Sequence, residues 1–272
     1  DGDLGRIVIN PRPSTLAAYE RRKLEIHHKN KQLSRIRHQP SVTPDGTTID
    51  LQANMELPIQ LGPIGKIGAT GIGLLRSEFM FMNRSDLPSE DEQCRVLTKI
   101  IEGMDGQPVT IRTLDIGGDK ISTSLLDRFG DSVSSALGLR GIRLSLAHTE
   151  VFETQIKAIL RASSAGPVRI LLPMVSANSE IREAHEIVKR MARKLKRRKI
   201  PMARELPPIG VMIEVPAAAL SADALAQTAD FFAIGSNDLT MYTLAIDRSD
   251  KQVASLFNPL HPSVLRLIQF SL

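Results

Sequence analysis

The sequence has a single cysteine, Cys94, and no tryptophan. One cysteine excludes a disulfide bond within the chain and a zinc site built from several thiolates. No apolar run approaches the roughly 18 uninterrupted residues that predict a membrane-spanning helix. The first residues, DGDLGRIVINP, also lack the basic and then apolar pattern of a signal peptide. We therefore expect no membrane association and a cytoplasmic location.

The formal net charge of +5 is concentrated in two regions of the chain, residues 21–37 and residues 189–199. No Tyr or Trp is interleaved with the second region, KRMARKLKRRK, so it offers no stacking surface for bases. Cations are favourable near the C-terminal end of a helix, where this region is predicted to lie. We expect a solvated helix and no nucleic-acid partner. A steep salt dependence would be the signature of the alternative, a nucleic-acid-binding protein.

From Thr47 onward, short apolar runs alternate with helical patterns. The predicted strands are TIDLQANM, GIGLL, PVTIR, ALGLRGI, VRILLPM, IGVMIE and DFFAIG. The predicted helices between and after them cover residues 90–103, 149–163, 177–199, 218–228 and 262–270. Strands that are apolar throughout and alternate with helices are typical of a parallel sheet covered on both faces. Seven such units favour an α/β fold, a (β/α)8 TIM-type barrel that ends before its eighth strand.

A polar segment precedes the predicted barrel. RIVIN, residues 6–10, is predicted to be a short strand, and Ser14 is a candidate N-cap for a long helix. Apolar residues are sparse in that helix, which indicates a linker rather than a core element. The sequence therefore predicts a linker helix over residues 13–41 and a barrel domain over residues 42–272.

Charged and amide side chains follow the predicted strands at their C-terminal ends. In a barrel these ends converge on one rim, where active sites are built. Arginine suits phosphate and carboxylate oxygens, and carboxylates without a neighbouring histidine or thiol suit Mg²⁺ or Mn²⁺. The candidate residues are Arg76, Arg112, Lys120, Arg140, Glu214, Asn237, Asp238 and Arg248.

This set predicts a site for a small phosphate ester, with a divalent cation held by Glu214 and Asp238. Lys120 would add a point charge toward the phosphate, and Asn237 an amide donor. Any single arginine is equally well explained by a structural ion pair, but the repetition of charges at strand ends favours a site. The loop IGGDK lacks the GxxxxGK[ST] spacing, so the sequence does not support a nucleotide-binding P-loop.

The motifs GIGLLRSEFMFM, TIRTLDIGGDK, LGLRGIRL, IGVMIEVPAAA and FFAIGSNDLTMYTLAIDR resemble the phosphoenolpyruvate (PEP)-binding barrel of enzyme I of the bacterial phosphotransferase system, a PEP-protein phosphotransferase. The resemblance implies that the barrel binds PEP and Mg²⁺. It implies phosphoryl transfer to a histidine on a swivelling domain and then to a histidine-containing phosphocarrier protein, and it suggests a homodimer. The implied substrate-binding residues are Arg76, Arg112, Lys120, Arg140, Asn237, Asp238 and Arg248, and the implied metal ligands are Glu214 and Asp238.

The resemblance also implies two groups that we expect outside this chain. The phosphoacceptor histidine of the family lies in a GGxxSH-type segment, and none of the six histidines here has such surroundings. Residues 1–12 would be the end of the swivelling domain. The family's acid cysteine follows the eighth strand, whereas Cys94 lies in a helical pattern. We therefore expect a fragment that is inactive alone.

Two further alternatives stay open within the resemblance. The segment MIEVPAAAL also suits the barrel of pyruvate phosphate dikinase or PEP synthase, and an ATP-grasp domain in the complete gene would indicate those enzymes. A PEP-sensing module without catalysis is the other alternative, which binding without turnover would indicate. Oxygen ligands suit Mg²⁺ and Mn²⁺ alike, and both the sugar-transport and the nitrogen-regulatory branches of the system are compatible with the motifs.

Overall fold

Six parallel strands form one sheet. The computed structural model describes residues 5, 7–82, 84, 86–116, 135–248 and 250–272. The strands are β1 (Ala53–Met55), β2 (Ile72–Arg76), β3 (Val109–Arg112), β4 (Val168–Leu172), β5 (Ile209–Ile213) and β6 (Phe231–Ile234). Their order in the sheet is their order in the sequence, and every neighbouring pair is parallel. The predicted α/β class is confirmed as a six-stranded parallel half-barrel, and closure into a complete (β/α)8 barrel stays a prediction.

Ten α-helices lie among the described residues. They are α1 (Pro13–Ile36), α2 (Leu61–Ile67), α3 (Glu90–Glu102), α4 (Gly141–Ala147), α5 (Thr149–Ala162), α6 (Asn178–Arg197), α7 (Pro216–Leu220), α8 (Ala222–Leu225), α9 (Ser236–Leu244) and α10 (Pro262–Phe270). The five helical segments predicted after Thr47 correspond to α3, α5, α6, the pair α7 and α8, and α10. Short 3₁₀ turns occupy Pro58–Gln60, Ser77–Met80, Ser163–Ala165 and Ala254–Leu256.

Helix α3 begins where its sequence provides a cap. The Ser89 hydroxyl accepts the Glu92 N–H, and the Glu92 carboxylate accepts the Ser89 N–H, which together form a capping box. Leu97, Ile100 and Ile101 recur at helical spacing and are all buried. Helix α3 packs against α5, so both helices cover the same side of the sheet region.

Strand β5 shows why the apolar runs form a parallel sheet. All five of its residues, IGVMI, are buried, as expected for a strand covered on both faces. Gly210 lies beside the ring of Phe231 on the neighbouring strand β6, in space that a side chain would fill. The core is one continuous cluster of buried apolar side chains from the sheet and its covering helices.

The prediction of a strand at ALGLRGI is wrong, so the described residues contain six strands rather than seven. Helix α4 begins at Gly141, whose φ of +57° is in the left-handed region that favours glycine. A Cβ at Gly141 would lie 2.6 Å from the Cβ of Met174, in the loop after β4. This close approach brings Arg140 beside that loop. The strand predicted at RIVIN is also wrong, because residues 7–10 form no strand.

The segments outside the sheet follow the sequence pattern. Helix α1 occupies most of the predicted linker, residues 13–41, and none of its residues is buried. The basic run at residues 189–199 overlaps the C-terminal part of α6, as predicted. No helix in the described part of the chain is long and apolar enough to span a membrane. The division into residues 1–12, 13–41 and 42–272 stays a prediction.

Candidate functional site

Charged side chains gather at the C-terminal ends of the strands. Arg76 ends β2 and Arg112 ends β3, and the two are register partners across this parallel pair. Glu214 directly follows β5. Asp238 lies in the first turn of α9, which begins two residues after β6 ends. Because all strands run in the same direction, these positions share one edge of the sheet.

Three carboxylates form the acid cluster, which consists of Asp115, Glu214 and Asp238. Their ligand oxygens all lie within 4.8 Å of one another. Glu214 is buried, and its Oε1 accepts the backbone N–H of Met174 at 2.7 Å. Met174 itself has a φ of +59°, an uncommon backbone conformation of the kind that clusters at functional sites. Burial, followed by repulsion from Asp115 and Asp238, raises the pKa of Glu214 well above its usual range.

The donor set of the acid cluster fits a hard divalent cation. It consists of carboxylate oxygens, which are the ligands that Mg²⁺ and Mn²⁺ prefer. Carboxylates packed this closely repel each other, and a cation bound between them would offset that repulsion. Asp115, Glu214 and Asp238 could therefore hold Mg²⁺ or Mn²⁺.

Arg140 contacts two members of the acid cluster. Its Nε and Nη2 lie 3.1 and 2.9 Å from the two carboxylate oxygens of Asp115, which is a bidentate pair. The same Nη2 lies 3.4 Å from Asp238 Oδ2. Its Nη1 donates to the hydroxyl of Tyr242 at 3.3 Å, and that hydroxyl donates to the carbonyl of Ala136 at 2.5 Å. Arg140 therefore connects Asp115, which follows β3, to Asp238 and Tyr242 of helix α9.

Arg112 is held in a second buried network. Its Nη2 lies 3.1 Å from Glu78 Oε1, which also accepts the Asp115 N–H at 3.1 Å. Its Nη1 lies 3.4 Å from Asp115 Oδ2. Burial alone would lower the pKa of Arg112, but the carboxylates of Glu78 and Asp115 raise it on balance, so the guanidinium stays charged. Burial has the larger effect on Glu78 and raises the pKa of that carboxyl.

Arg76 and Arg112 each have a donor without a partner in the part of the chain that the structure describes. The Nε of both side chains is buried, and neither has a hydrogen-bond partner among the described residues. Arg76 otherwise pairs with Glu56, on the exposed side of the site. Buried donors are normally satisfied, so these two N–H groups, on side chains of register partners, are suited to an anionic ligand.

Two other predicted residues, Asn237 and Arg248, have no place in this network as far as the structure describes the chain. Asn237 and Arg248 are exposed, and within the described ranges neither forms a hydrogen bond or ion pair with the charged residues above. Asn237 lies in the first turn of α9, beside Asp238, rather than in a loop after the strand. Lys120 lies outside the described residues. The roles of all three stay predictions.

The sequence interpretation did not assign four residues that contact the site. Asp115 and Glu78 follow β3 and β2, so the strand-end pattern already contained their signal. Tyr242 follows Asp238 by four positions, a spacing that places both on one face of a helix. That signal requires the prediction of α9, which the sequence interpretation lacked.

Gln155 is the fourth residue, and it reaches the strand ends from helix α5. Its Oε1 accepts the Leu114 N–H at 2.9 Å, and its Nε2 donates to the Ser77 hydroxyl at 3.0 Å. Ser77 follows Arg76, and Leu114 precedes Asp115, so this buried amide joins the segments after β2 and β3. No pattern in the sequence marks Gln155, because its contacts arise only from packing of the helix on the sheet.

Gly235 provides the space that Glu214 occupies. A Cβ at this position would lie 2.8 Å from the Cβ of Glu214 and 2.9 Å from its Oε2. Such distances are shorter than non-bonded carbon and oxygen atoms tolerate, so a larger residue would displace the carboxylate. The glycine between β6 and α9 is therefore part of the construction of the acid cluster.

Comparison with known proteins identifies the family. The family described as "PEP-utilising enzyme, PEP-binding domain" matches residues 30–271. The phosphoenolpyruvate-protein phosphotransferase of Cupriavidus necator is 46% identical over 269 residues, which are 98% of this chain and 46% of that protein. The enzyme of the same name from Geobacillus stearothermophilus is 41% identical over 268 residues, again 98% of this chain and 46% of the relative. The chain thus spans about half the length of the curated relatives it matches.

Similarity to solved structures is looser. A citrate lyase from Burkholderia xenovorans LB400 covers 85% of this chain and 63% of its own, with a TM-score of 0.45 and 16% sequence identity. A likeness at this level carries no argument about the site. The family match extends over most of the chain and includes every charged residue described above. The chain therefore belongs to the family of PEP-utilising enzymes, in which it corresponds to the PEP-binding domain.

Proposed function

We propose that this chain binds phosphoenolpyruvate together with Mg²⁺ and presents its phosphoryl group for transfer to a protein histidine. The observation that carries the proposal is the placement of Arg76 and Arg112 on the sheet edge that also carries the acid cluster, each with a buried donor that has no partner within the described ranges. A phosphate ester with a neighbouring carboxylate and a divalent cation satisfies both halves of this arrangement. The names of the relatives support the same substrate.

Each charged residue has a distinct role in the proposal. Arg76 and Arg112 bind the phosphate group through their guanidinium groups. Glu214 and Asp238 hold the metal, with Asp115 as a third candidate ligand, and the bound cation stabilises negative charge on the phosphate oxygens. The remaining predicted contacts to the substrate are Lys120, Arg140, Asn237 and Arg248.

The proposed reaction needs two groups from elsewhere in the full-length protein. The P–O bond to the enol oxygen breaks, and a P–N bond forms to an imidazole nitrogen. The enolpyruvate that leaves takes a proton at carbon from an acid, which we propose to be a cysteine outside this chain.

The chain's own contribution is positioning and charge stabilisation. The transition state of phosphoryl transfer is loose, with charge spread over the phosphate oxygens, so fixed cations lower its energy without covalent chemistry. The guanidinium groups of Arg76 and Arg112 are already held by Glu56, Glu78 and Asp115, so these two need little reorganisation when the substrate arrives.

The wider biological setting belongs to the same proposal. The phosphohistidine would pass its phosphoryl group to a histidine-containing phosphocarrier protein of the phosphotransferase system, as in sugar transport. The protein would act in the cytoplasm as a homodimer, and its barrel would close as a (β/α)8 barrel. The relatives' names favour this setting over a dikinase or synthase.

Isothermal titration calorimetry with PEP and Mg²⁺ tests the proposal. Substitution Arg76→Met should weaken PEP binding by roughly tenfold to a hundredfold, the value of a charge-assisted hydrogen bond. Arg169→Met is the matched control, because Arg169 stacks on Phe231 near the N-terminal ends of the strands, away from the site. Absence of PEP binding to the unsubstituted protein, or an equal loss in the control variant, would refute the proposal.

A further inference from the structure

We propose that Arg140 is an internal counter-ion of the acid cluster, which a divalent cation must displace from Asp115 and Asp238 when it binds. The displaced guanidinium is then available to the anionic substrate. This inference rests on the proposed function, because it assumes that the acid cluster is the metal site. It differs from the prediction that Arg140 only binds the substrate.

Most N–H groups of Arg140 donate to the acid cluster or to Tyr242, so few of them remain for a substrate. Nε and Nη2 form the bidentate pair with Asp115 at 3.1 and 2.9 Å, and Nη2 also lies 3.4 Å from Asp238. Nη1 donates to Tyr242 at 3.3 Å. A guanidinium placed in this way neutralises carboxylates that would otherwise repel each other, which is the role of a bound cation.

A divalent cation and this guanidinium compete for the same oxygens. Asp115 Oδ2 receives Arg140 Nη2 at 2.9 Å and Arg112 Nη1 at 3.4 Å. A metal ligated by this carboxylate would lie about 2.0–2.6 Å from its oxygen, close to two fixed positive charges. Repulsion between the cations is strong at such distances among largely buried groups. Arg140 is the one that can leave, because its contact outside the acid cluster is a neutral hydroxyl, that of Tyr242, whereas Arg112 is also paired with the carboxylate of Glu78.

The position of Arg140 in the fold allows this movement. It directly precedes α4, in residues 135–140, which form neither a strand nor a helix. Its remaining anchor is the hydroxyl of Tyr242, which is itself fixed to the Ala136 carbonyl. Loss of the contacts to Asp115 and Asp238 would therefore leave the guanidinium tethered at the edge of the site rather than dispersed in solvent.

Two consequences follow from competition, and both are measurable without turnover. Removal of the guanidinium should make the metal bind more tightly in the absence of substrate. Metal binding should also strengthen anion binding by releasing Arg140, and the anion should strengthen metal binding by the same factor, because coupling between two ligands is reciprocal. A permanent structural pair between Arg140 and Asp115 predicts the opposite, since its removal would disorder a ligand and weaken metal binding.

The experiment is a titration of the purified protein with Mn²⁺ alone, read by the electron paramagnetic resonance signal of free Mn²⁺. The variants are Arg140→Gln, Arg140→Lys and the control Arg143→Gln. Arg143 lies in α4, three residues after Arg140, and forms no hydrogen bond or ion pair with the acid cluster in the described part of the chain. Its substitution changes the net charge by the same amount. We expect Arg140→Gln to bind Mn²⁺ about tenfold tighter or more, Arg140→Lys to fall between, and Arg143→Gln to match the original protein.

A second titration, with PEP in the presence and absence of Mn²⁺, measures the coupling. The factor by which Mn²⁺ strengthens PEP binding should be smaller in Arg140→Gln than in the original protein. Circular dichroism and thermal unfolding establish that each variant is folded, and Arg140→Lys supplies the comparison if the glutamine variant is not. If Mn²⁺ binds a folded Arg140 variant equally or more weakly, the counter-ion inference is wrong while the proposed function stands. If the original protein binds neither Mn²⁺ nor PEP, both fall together.

Discussion

Arg76 and Arg112 are register partners at the C-terminal ends of the neighbouring parallel strands β2 and β3. Two like charges in this relation repel each other, so their proximity does not stabilise the fold. The side chain of Arg76 is 31% exposed and pairs with Glu56, whereas that of Arg112 is 11% exposed and pairs with Glu78. Both arginines can therefore donate hydrogen bonds to an anion, but substitution of Arg112 should destabilise the fold more than substitution of Arg76.

The first prediction concerns this difference in cost. Arg112→Met should lower the free energy of unfolding by about 3–5 kcal/mol, because it leaves the buried carboxylate of Glu78 without its cation and removes one of the two guanidinium groups that contact Asp115. Arg76→Met should lower it by about 0–1 kcal/mol, as expected for a partly exposed pair. Urea denaturation monitored by circular dichroism measures both values. Equal destabilisation by the two substitutions would contradict this assignment of roles.

The sheet was predictable because its strands are apolar throughout and are separated by amphipathic helices. The error at ALGLRGI has a local cause. Ala136, Leu137 and Leu139 imitate a short apolar strand, but the positive φ of Gly141 and its approach to Met174 start a helix instead. Helix α9 was missed because its first residues, Ser236 to Asp238, directly follow an apolar run. Ser, Asn and Asp are common at helix starts, so a signal for α9 was present.

Within the candidate site, only the residues that lie at or just after the ends of strands were predictable from the sequence. The positions of Arg76, Arg112, Glu214 and Asp238 on one edge follow from the parallel sheet, while their roles stay predictions. Gln155 reaches the site from a helix, and its contacts depend on how that helix packs. Short-range patterns in a sequence contain no information about such long-range packing, which explains why residues of this kind were not found.

The second prediction concerns the space that Gly235 leaves for Glu214. Gly235→Ala should displace the Glu214 carboxylate, since the added Cβ would lie 2.9 Å from its Oε2. We expect destabilisation by about 1–3 kcal/mol from overpacking. Mg²⁺ should raise the midpoint of thermal unfolding of the original protein by mass action, and the rise should be smaller in the variant. Differential scanning calorimetry with and without Mg²⁺ measures both effects.

Gly65→Ala is the matched control for this substitution. Gly65 lies in helix α2, is exposed, and a Cβ there would meet no atom within 4 Å. Alanine in a helix interior is favoured over glycine, so this variant should be up to about 1 kcal/mol more stable. It should keep the full effect of Mg²⁺. A full Mg²⁺ effect in Gly235→Ala would show that the displaced carboxylate is not needed for metal binding.

The third prediction concerns the buried amide of Gln155. Gln155→Leu leaves the Leu114 N–H and the Ser77 hydroxyl without their partner, which should lower the free energy of unfolding by about 1–3 kcal/mol. PEP affinity should also fall, because the Gln155 amide no longer joins Ser77, which follows Arg76, to Leu114, which precedes Asp115. Thr154→Ala is the control, since among the described residues that hydroxyl donates to the Glu150 carbonyl within α5 and to no other group. Wild-type PEP affinity in a folded Gln155→Leu variant would limit Gln155 to a role in stability.

Glu90 connects helix α3 to helix α5 through two ion pairs. Its Oε1 lies 2.7 Å from Arg161 Nη1, and its Oε2 lies 3.0 Å from Lys157 Nζ, so the start of α3 is tied to α5. Burial alone would raise the pKa of Glu90, but the hydrogen bonds from Arg161 and Lys157 lower it below its usual value on balance. A carboxyl with a lower pKa in the folded than in the unfolded chain stabilises the fold above its unfolded pKa, and this contribution is lost as the pH falls through its folded pKa.

The fourth prediction follows from that sign. Glu90→Gln should lower the free energy of unfolding by about 0.5–1 kcal/mol at neutral pH, the range of partly exposed pairs. The difference from the original protein should shrink as the pH falls below about 4, because the carboxyl of the original protein then becomes protonated and uncharged as well. Glu102→Gln, at the exposed C-terminal end of α3, is the control and should cause no loss, since an acid there opposes the helix dipole. Urea denaturation at several pH values measures the difference, and a loss for Glu90→Gln that grows toward acid pH would contradict the assigned ion pairs.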